Sequence, residues 1–151
     1  MLNLTDFINK YTGQANVGDT PQNKGQCVGL IEIWLDNLSI NDPHLWGNAK
    51  DLLNNADPFK FDIIINTPQN VPEAGDIIVW NSNLGNGNGH TGIFCSGNVN
   101  NFNCFEQNDP IGSTPHAKTY DYKNVIGWLH PKSTNKYQDA IIQIKTIINS
   151  L

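Results

Sequence analysis

The sequence predicts an α+β domain: N-terminal helices forming one layer, a small antiparallel sheet forming the other, and a helix closing the chain. Two patterns carry this. Apolar residues recur at three- and four-residue spacings over the first third of the chain. Short β-branched and aromatic runs then alternate with Gly, Pro and Asn turns. A length of 151 residues suits one ordinary domain, and a 38% apolar fraction with four Trp and six Phe can supply its core.

Residues 2–11 place Leu4, Phe7, Ile8 and Tyr11 on one helical face, with Asn3 or Thr5 as cap and Asp6 in the first turn. Residues 12–24 are polar, contain Gly13, Gly18 and Pro21, and read as a loop. The next helix is the one around which the chain is organised. Cys27, Ile31, Trp34 and Leu38 share a side, Val28 and Leu35 lie beside it, and Glu32 and Asp36 face away. Cys27 falls in the first turn, where free amide N–H groups favour thiolate over thiol. Against this stands the ordinary use of a free cysteine as a small buried hydrophobe.

Residues 39–43 break that helix, and residues 46–53 form a short third one whose apolar side is Trp46, Ala49, Leu52 and Leu53. Trp46 reads as a packing residue.

Residues 59–65, with three successive isoleucines, read as a short buried strand. Residues 77–80 (Ile-Ile-Val-Trp) are a stronger one. Across the Asn/Gly-rich loop 81–89, residues 90–95 read as its antiparallel neighbour. Residues 101–106 alternate so that Phe102, Cys104 and Glu106 share a face. Asp109-Pro110-Ile111-Gly112 is a turn, and residues 119–129, with Tyr120, Tyr122, Ile126 and Trp128, hold one or two more strands. Residues 136–151 are helical, with Tyr137, Ile141, Ile144, Ile148 and Leu151 on one face that docks on the domain or pairs with another copy.

Fourteen acidic and nine basic residues give a net charge of -5. With no basic run to track a phosphate backbone, nucleic acid is a poor partner. There is no apolar stretch long enough to span a membrane and no secretory signal. Action outside a cell would then follow synthesis in a host cytoplasm and release on lysis, or carriage in a larger particle. Three cysteines, Cys27, Cys95 and Cys104, leave at least one unpaired and do not resemble a disulfide framework.

A nucleophile needs a base, and His90 sits where the Gly-rich loop meets a strand, with a near-neutral intrinsic pKa suited to proton transfer. Gly89 and Gly92 beside it allow close backbone approach. Glu106, at the end of the next strand, would hold the outer imidazole nitrogen, and Asn108 would perform or share that role.

Several ordered motifs bear on this choice: Gly25-Gln26-Cys27-Val28, Gly47-Asn48-Ala49-Lys50, Pro72 through Gly75-Asp76-Ile77 to Val79-Trp80, Gly89-His90-Thr91-Gly92-Ile93, Glu106-Gln107-Asn108 and Gly127-Trp128. In this order, over residues 14–131, they resemble the cysteine, histidine-dependent amidohydrolase/peptidase, or CHAP, family. The resemblance implies a papain-like fold of the CHAP and NlpC/P60 type, with a catalytic domain over residues 1–131 and a helical extension over 132–151, packed on it or used in assembly. Family members commonly cut bacterial peptidoglycan, as phage lysins, virion-associated enzymes or wall hydrolases.

By that resemblance Cys27 is the nucleophile, His90 the base, Glu106 the orienting acid and Asn108 a further active-site polar residue. The implied activity is hydrolysis of a wall amide, by an N-acetylmuramoyl-L-alanine amidase or a peptide endopeptidase. A papain-like amidase on another substrate, and a nonenzymatic wall-binding or phage structural module, are the alternatives. The oxyanion donors would be the Cys27 N–H and Gln26 or Gln22, Gln26 preferred. Trp80 and Trp128 would be core or cleft-wall residues.

Some relatives bind calcium just before the cysteine. The matching stretch here offers Asn16, Asp19 and Asn23, with one carboxylate among them, whereas Ca²⁺ takes about six to eight oxygens, so no required cofactor is expected. His44, His116 and His130 lack metal-ligand spacing, and no zinc centre is expected.

Overall fold

The computed structural model describes residues 1–40, 47–132, 144, 147 and 148 of the chain. Helix α1 spans Leu4–Tyr11 and is capped by Asn3, whose side chain accepts a hydrogen bond from the Asp6 N–H. Helix α2 spans Cys27–Asn37. The two are tied where the Asn37 side chain bonds both backbone groups of Leu2, at 2.8 and 2.9 Å.

The expected third helix is a 3₁₀ turn over Ala49–Asp51 running into a single α-turn, α3, over Leu52–Asn55. Trp46 and His44 lie outside the described residues. So does most of the predicted C-terminal helix, of which Ile144, Ile147 and Ile148 are described, helical and exposed.

Six strands make one antiparallel sheet: β1 (Phe61–Ile65), β2 (Ile77–Trp80), β3 (His90–Gly97), β4 (Asn101–Glu106), β5 (His116–Asp121) and β6 (Val125–Pro131), in the order β1-β6-β2-β3-β4-β5. The expected β2–β3 pair is present, with Ile77 opposite Ile93 and Trp80 opposite His90. The region 119–129 holds parts of two strands, which are not neighbours: β5 pairs with β4, while β6 crosses the sheet and inserts between β1 and β2.

One expectation fails. β1 is not buried, because it lies at the sheet edge: Phe61 is covered, but Ile63 and Ile65 are exposed. An apolar run looks the same in sequence whether or not a helix reaches over it.

Strand alternation sends side chains to two cores. On the helical face, Ile77, Val79, Ile93, Phe105 and Leu129 meet Phe7, Leu30, Ile31, Trp34 and Leu35. Trp34 also donates from its indole N–H to the Gly75 carbonyl at 3.0 Å, tying α2 to the turn before β2. On the other face, Ile78, Trp80, Phe94, Phe102, Cys104 and Trp128 form an aromatic cluster with Tyr120 and Tyr122 at its margin. Helix α2 is thereby packed on one face of the sheet, against β3 among other strands.

Candidate active site

Cys27 is the first residue of α2. Gln26 precedes it in extended conformation and makes no side-chain cap. Its amide oxygen instead accepts a hydrogen bond from Asn108 Nδ2 at 3.1 Å. No side chain closes the helix start and no acidic residue stands in its first turn. The loop leading in is pinned by fully buried Gln107, whose amide donates to the carbonyls of Val17 at 2.9 Å and Gln26 at 2.6 Å.

His90 opens β3 and is buried, 3% exposed, with its ring tilted against Trp80 at a centroid distance of 5.3 Å. Gly89 makes this placement feasible. Its φ is +78°, and a Cβ there would come within 2.6 to 2.7 Å of Lys50 N and the Trp80 carbonyl oxygen.

The Nε2 atom of His90 lies 3.2 Å from Glu106 Oε2. Cys27 is the other group acting on the His90 ring, and the two residues line the same cleft. Burial works against the charged ring, but Cys27 and Glu106 outweigh it and raise the His90 pKa from 6.5 to about 9. The imidazolium is therefore the form this environment favours at neutral pH.

Glu106 ends β4 and is fully buried. It sits against Gly92, where any Cβ would run into the Glu106 Cβ and the Cys104 sulfur. Its second oxygen, Oε1, lies 3.0 Å from His116 Nε2. These separations are those of ion pairs, and neither meets the alignment of a good hydrogen bond. Charge, more than directed bonding, holds the carboxylate between two imidazoles.

Asp109 completes the cluster, accepting from Tyr120 Oη at 2.7 Å and Lys118 Nζ at 2.8 Å. Despite the opposing effect of its partial burial, Lys118 and Tyr120 hold its carboxyl below the ordinary range. Among the described residues, His90, Glu106 and Asp109 are the one group of three whose ligand-type atoms lie close together, within 4.8 Å. Those atoms already face Glu106, His90, His116, Tyr120 and Lys118.

Cys27 and His90 open on a cleft of about 1060 Å³, lined also by Gln22, Gln26 and Asn108. Of the predicted site residues, Cys27, His90 and Glu106 converge. Asn108 lines the same cleft, donating to Gln26 Oε1 and accepting from the Gly112 N–H. Gln22 and Gln26 both reach the cleft. Trp80 and Trp128 are core residues, each 1% exposed, and line no wall of the cleft.

Asn16 and Asp19 are exposed and Asn23 is half-buried. Asp19 Oδ1 accepts from Asn23 Nδ2, and Asn23 Oδ1 from the Thr20 N–H at 3.0 Å. All three cysteines are free, Cys104 buried and Cys95 half-buried in adjoining strands. Sequence reasoning missed His116, Asp109, Lys118, Tyr120 and Gln107. For His116 the one available signal was the β4–β5 register, which sets it directly opposite Glu106.

Comparison with known proteins agrees with this geometry. Residues 16–108 match the model of the CHAP domain family. Endolysin LysK of Staphylococcus phage K is 38% identical over 84 residues, covering 55% of this chain and 17% of that protein. Endolysin PlyTW of Staphylococcus phage Twort is 28% identical over 115 residues, covering 70% of this chain and 25% of that protein. The chain thus spans a quarter or less of the curated relatives it matches. The crystal structure of endolysin LysIME-EF1 superposes with a TM-score of 0.69 at 25% identity, over 89% of this chain and 66% of that one. The family match covers more than half of the chain, and the fold and the cysteine–histidine geometry accord with it: the chain belongs to the CHAP domain family.

Proposed function

We propose that the chain is a peptidoglycan hydrolase that cleaves an amide bond of the bacterial wall through Cys27, acting either between muramic acid and L-alanine or within the wall peptides. The observation that carries this reading is the contact of the Cys27 thiol with His90, itself backed by buried Glu106, at the edge of an open cleft. The endolysin names of the relatives supply the substrate class.

In this mechanism the Cys27 thiolate attacks the amide carbonyl carbon. The carbonyl π electrons move to oxygen, and the Cys27 backbone N–H with the side-chain amide of Gln26 or Gln22 stabilises that oxyanion. His90 delivers its Nδ1 proton to the departing nitrogen as the C–N bond breaks, leaving a thioester on Cys27. His90, now neutral, takes a proton from water, and the hydroxide attacks the thioester. The carboxylate product leaves and the thiolate–imidazolium pair returns. Glu106 keeps the ring oriented throughout.

The test is digestion of purified walls followed by mass analysis of the released fragments. New amine and carboxyl ends at the lactyl–alanine junction would indicate amidase action, and new ends within stems or bridges would indicate endopeptidase action. Both should vanish in Cys27→Ala and His90→Ala. Failure to solubilise walls, with Cys27-dependent cleavage of a soluble peptide, would move the substrate elsewhere. Undiminished wall activity in both variants would exclude the mechanism.

A further inference from the structure

The geometry points to His116 as a positioning residue: it holds the Glu106 carboxylate in place so that Glu106 can support the His90–Cys27 pair. This rests on the cysteine mechanism proposed above and extends it by one residue, to Cys27–His90–Glu106–His116.

Three observations carry it. First, β4 and β5 pair with Glu106 directly opposite His116, so the sheet register, not a flexible loop, sets the contact. Second, both ring nitrogens of His116 face oxygens. Nδ1 lies 2.8 Å from the Thr114 carbonyl, which can only accept, so Nδ1 carries a hydrogen. Nε2 lies 3.0 Å from Glu106 Oε1, where a bare ring lone pair against the carboxylate would be repelled. Third, Glu106 is fully buried, and its two oxygens each face one imidazole, Oε2 facing His90 and Oε1 facing His116. A carboxylate in that setting keeps its charge only while a donor opposes it.

His116 differs from His90 in one useful respect. Its side chain is 34% exposed, against 4% for His90, so it can exchange protons with solvent while Glu106 cannot. The other charged and titratable groups at this place are Asp109, held by Lys118 and Tyr120, and the buried thiol of Cys104 on β4. His116 is the group that stands at Glu106 Oε1, 3.0 Å away.

Removing the His116 N–H should release Glu106 from the position in which it faces His90. A displaced Glu106 supports the His90 imidazolium less well, and Cys27 then loses part of the partner that makes it reactive. The readout is the rate of Cys27 alkylation by iodoacetamide between pH 5 and 8, followed by peptide mass spectrometry. It needs no wall substrate, so it remains decisive if the wall reading fails.

In His116→Leu we expect alkylation at pH 6 to fall roughly five-fold and the profile to move to higher pH. His116→Gln, which keeps an N–H for Glu106, should recover more than half of that loss. In a Glu106→Gln background, His116→Leu should change the rate less than two-fold, because the group it acts through is gone. His116→Ser, too short to reach Glu106, is a second removal variant should the leucine variant not fold. Wild-type alkylation across the range in whichever removal variant folds would overturn the assignment. Equal effects of the His116 change with and without Glu106 would overturn it as well.

Discussion

Replacing Glu106 with Gln removes one charge and almost no volume, and its effect can be worked out from the site. His90 is raised from 6.5 to about 9 even though burial opposes its charged form. That gap corresponds to about 3 kcal/mol of preference for the imidazolium, at ~1.4 kcal/mol per pH unit. Two partners share it, the Cys27 thiol and the Glu106 carboxylate. Without the carboxylate at 3.2 Å, the midpoint should fall by a unit or more, or about 1.5 kcal/mol.

The sign of the stability change follows. A histidine whose folded pKa lies above its unfolded value stabilises the fold fully below the unfolded pKa, and that contribution is lost as pH rises through the folded one. The contribution of His90 is thus complete below about 6.5 and gone above about 9. Glu106→Gln should therefore lower stability more at pH 6 than at pH 10. The assay is a proton–carbon NMR titration of the His90 ring in both proteins, assigned with His90→Asn, alongside urea unfolding at the two pH values. A wild-type His90 midpoint at or below 6.5, or no movement on Glu106→Gln, would refute the electrostatic account of the pair.

Other perturbations separate positioning from packing. Gly89→Ala forces a positive φ on alanine and a Cβ against Lys50 N and the Trp80 carbonyl. It should cost about 2 kcal/mol in denaturant unfolding and lower wall hydrolysis more than ten-fold by displacing His90. Trp128→Ala empties a site in the aromatic core and should lower stability by roughly 3–5 kcal/mol. In surviving folded protein it should leave the apparent KM for wall fragments within two-fold, since Trp128 does not reach the cleft. Chelation with EDTA, or addition of calcium, should change hydrolysis less than two-fold, because this loop offers one carboxylate, Asp19, with one oxygen engaged by Asn23. A calcium requirement would show that the loop rearranges to expose those oxygens.

Local pattern made the elements legible, and long-range register hid the rest. The three-four periodicity around Cys27 announced α2 and put the thiol at its start, because both are consequences of one helical face meeting one core. The β2–β3 pair was legible because a single loop joins strands of strong β character. The insertion of β6 between β1 and β2 was not, since no local feature of residues 125–131 records which edge they join. The isoleucines of β1 misled for a related reason: burial depends on what lies over a strand, and Ile63 and Ile65 extend past the helical cover.

At the site, Cys27, His90 and Glu106 were recognisable by residue type and element ends. Asn108, expected from the sequence to perform or share the orienting role of Glu106, has a φ of 71° and bonds Gln26 and the Gly112 N–H. His116 was passed over because its role exists only once β5 is laid against β4.

The central claim is that Cys27 forms a covalent bond with the substrate. Soluble wall fragments mixed with the protein and quenched in acid within the first turnover, then analysed by intact and peptide mass spectrometry, test it most directly. The account predicts an acyl adduct on the Cys27 peptide that decays as product appears and is absent in Cys27→Ala. Product formed at the wild-type rate by Cys27→Ala would contradict it.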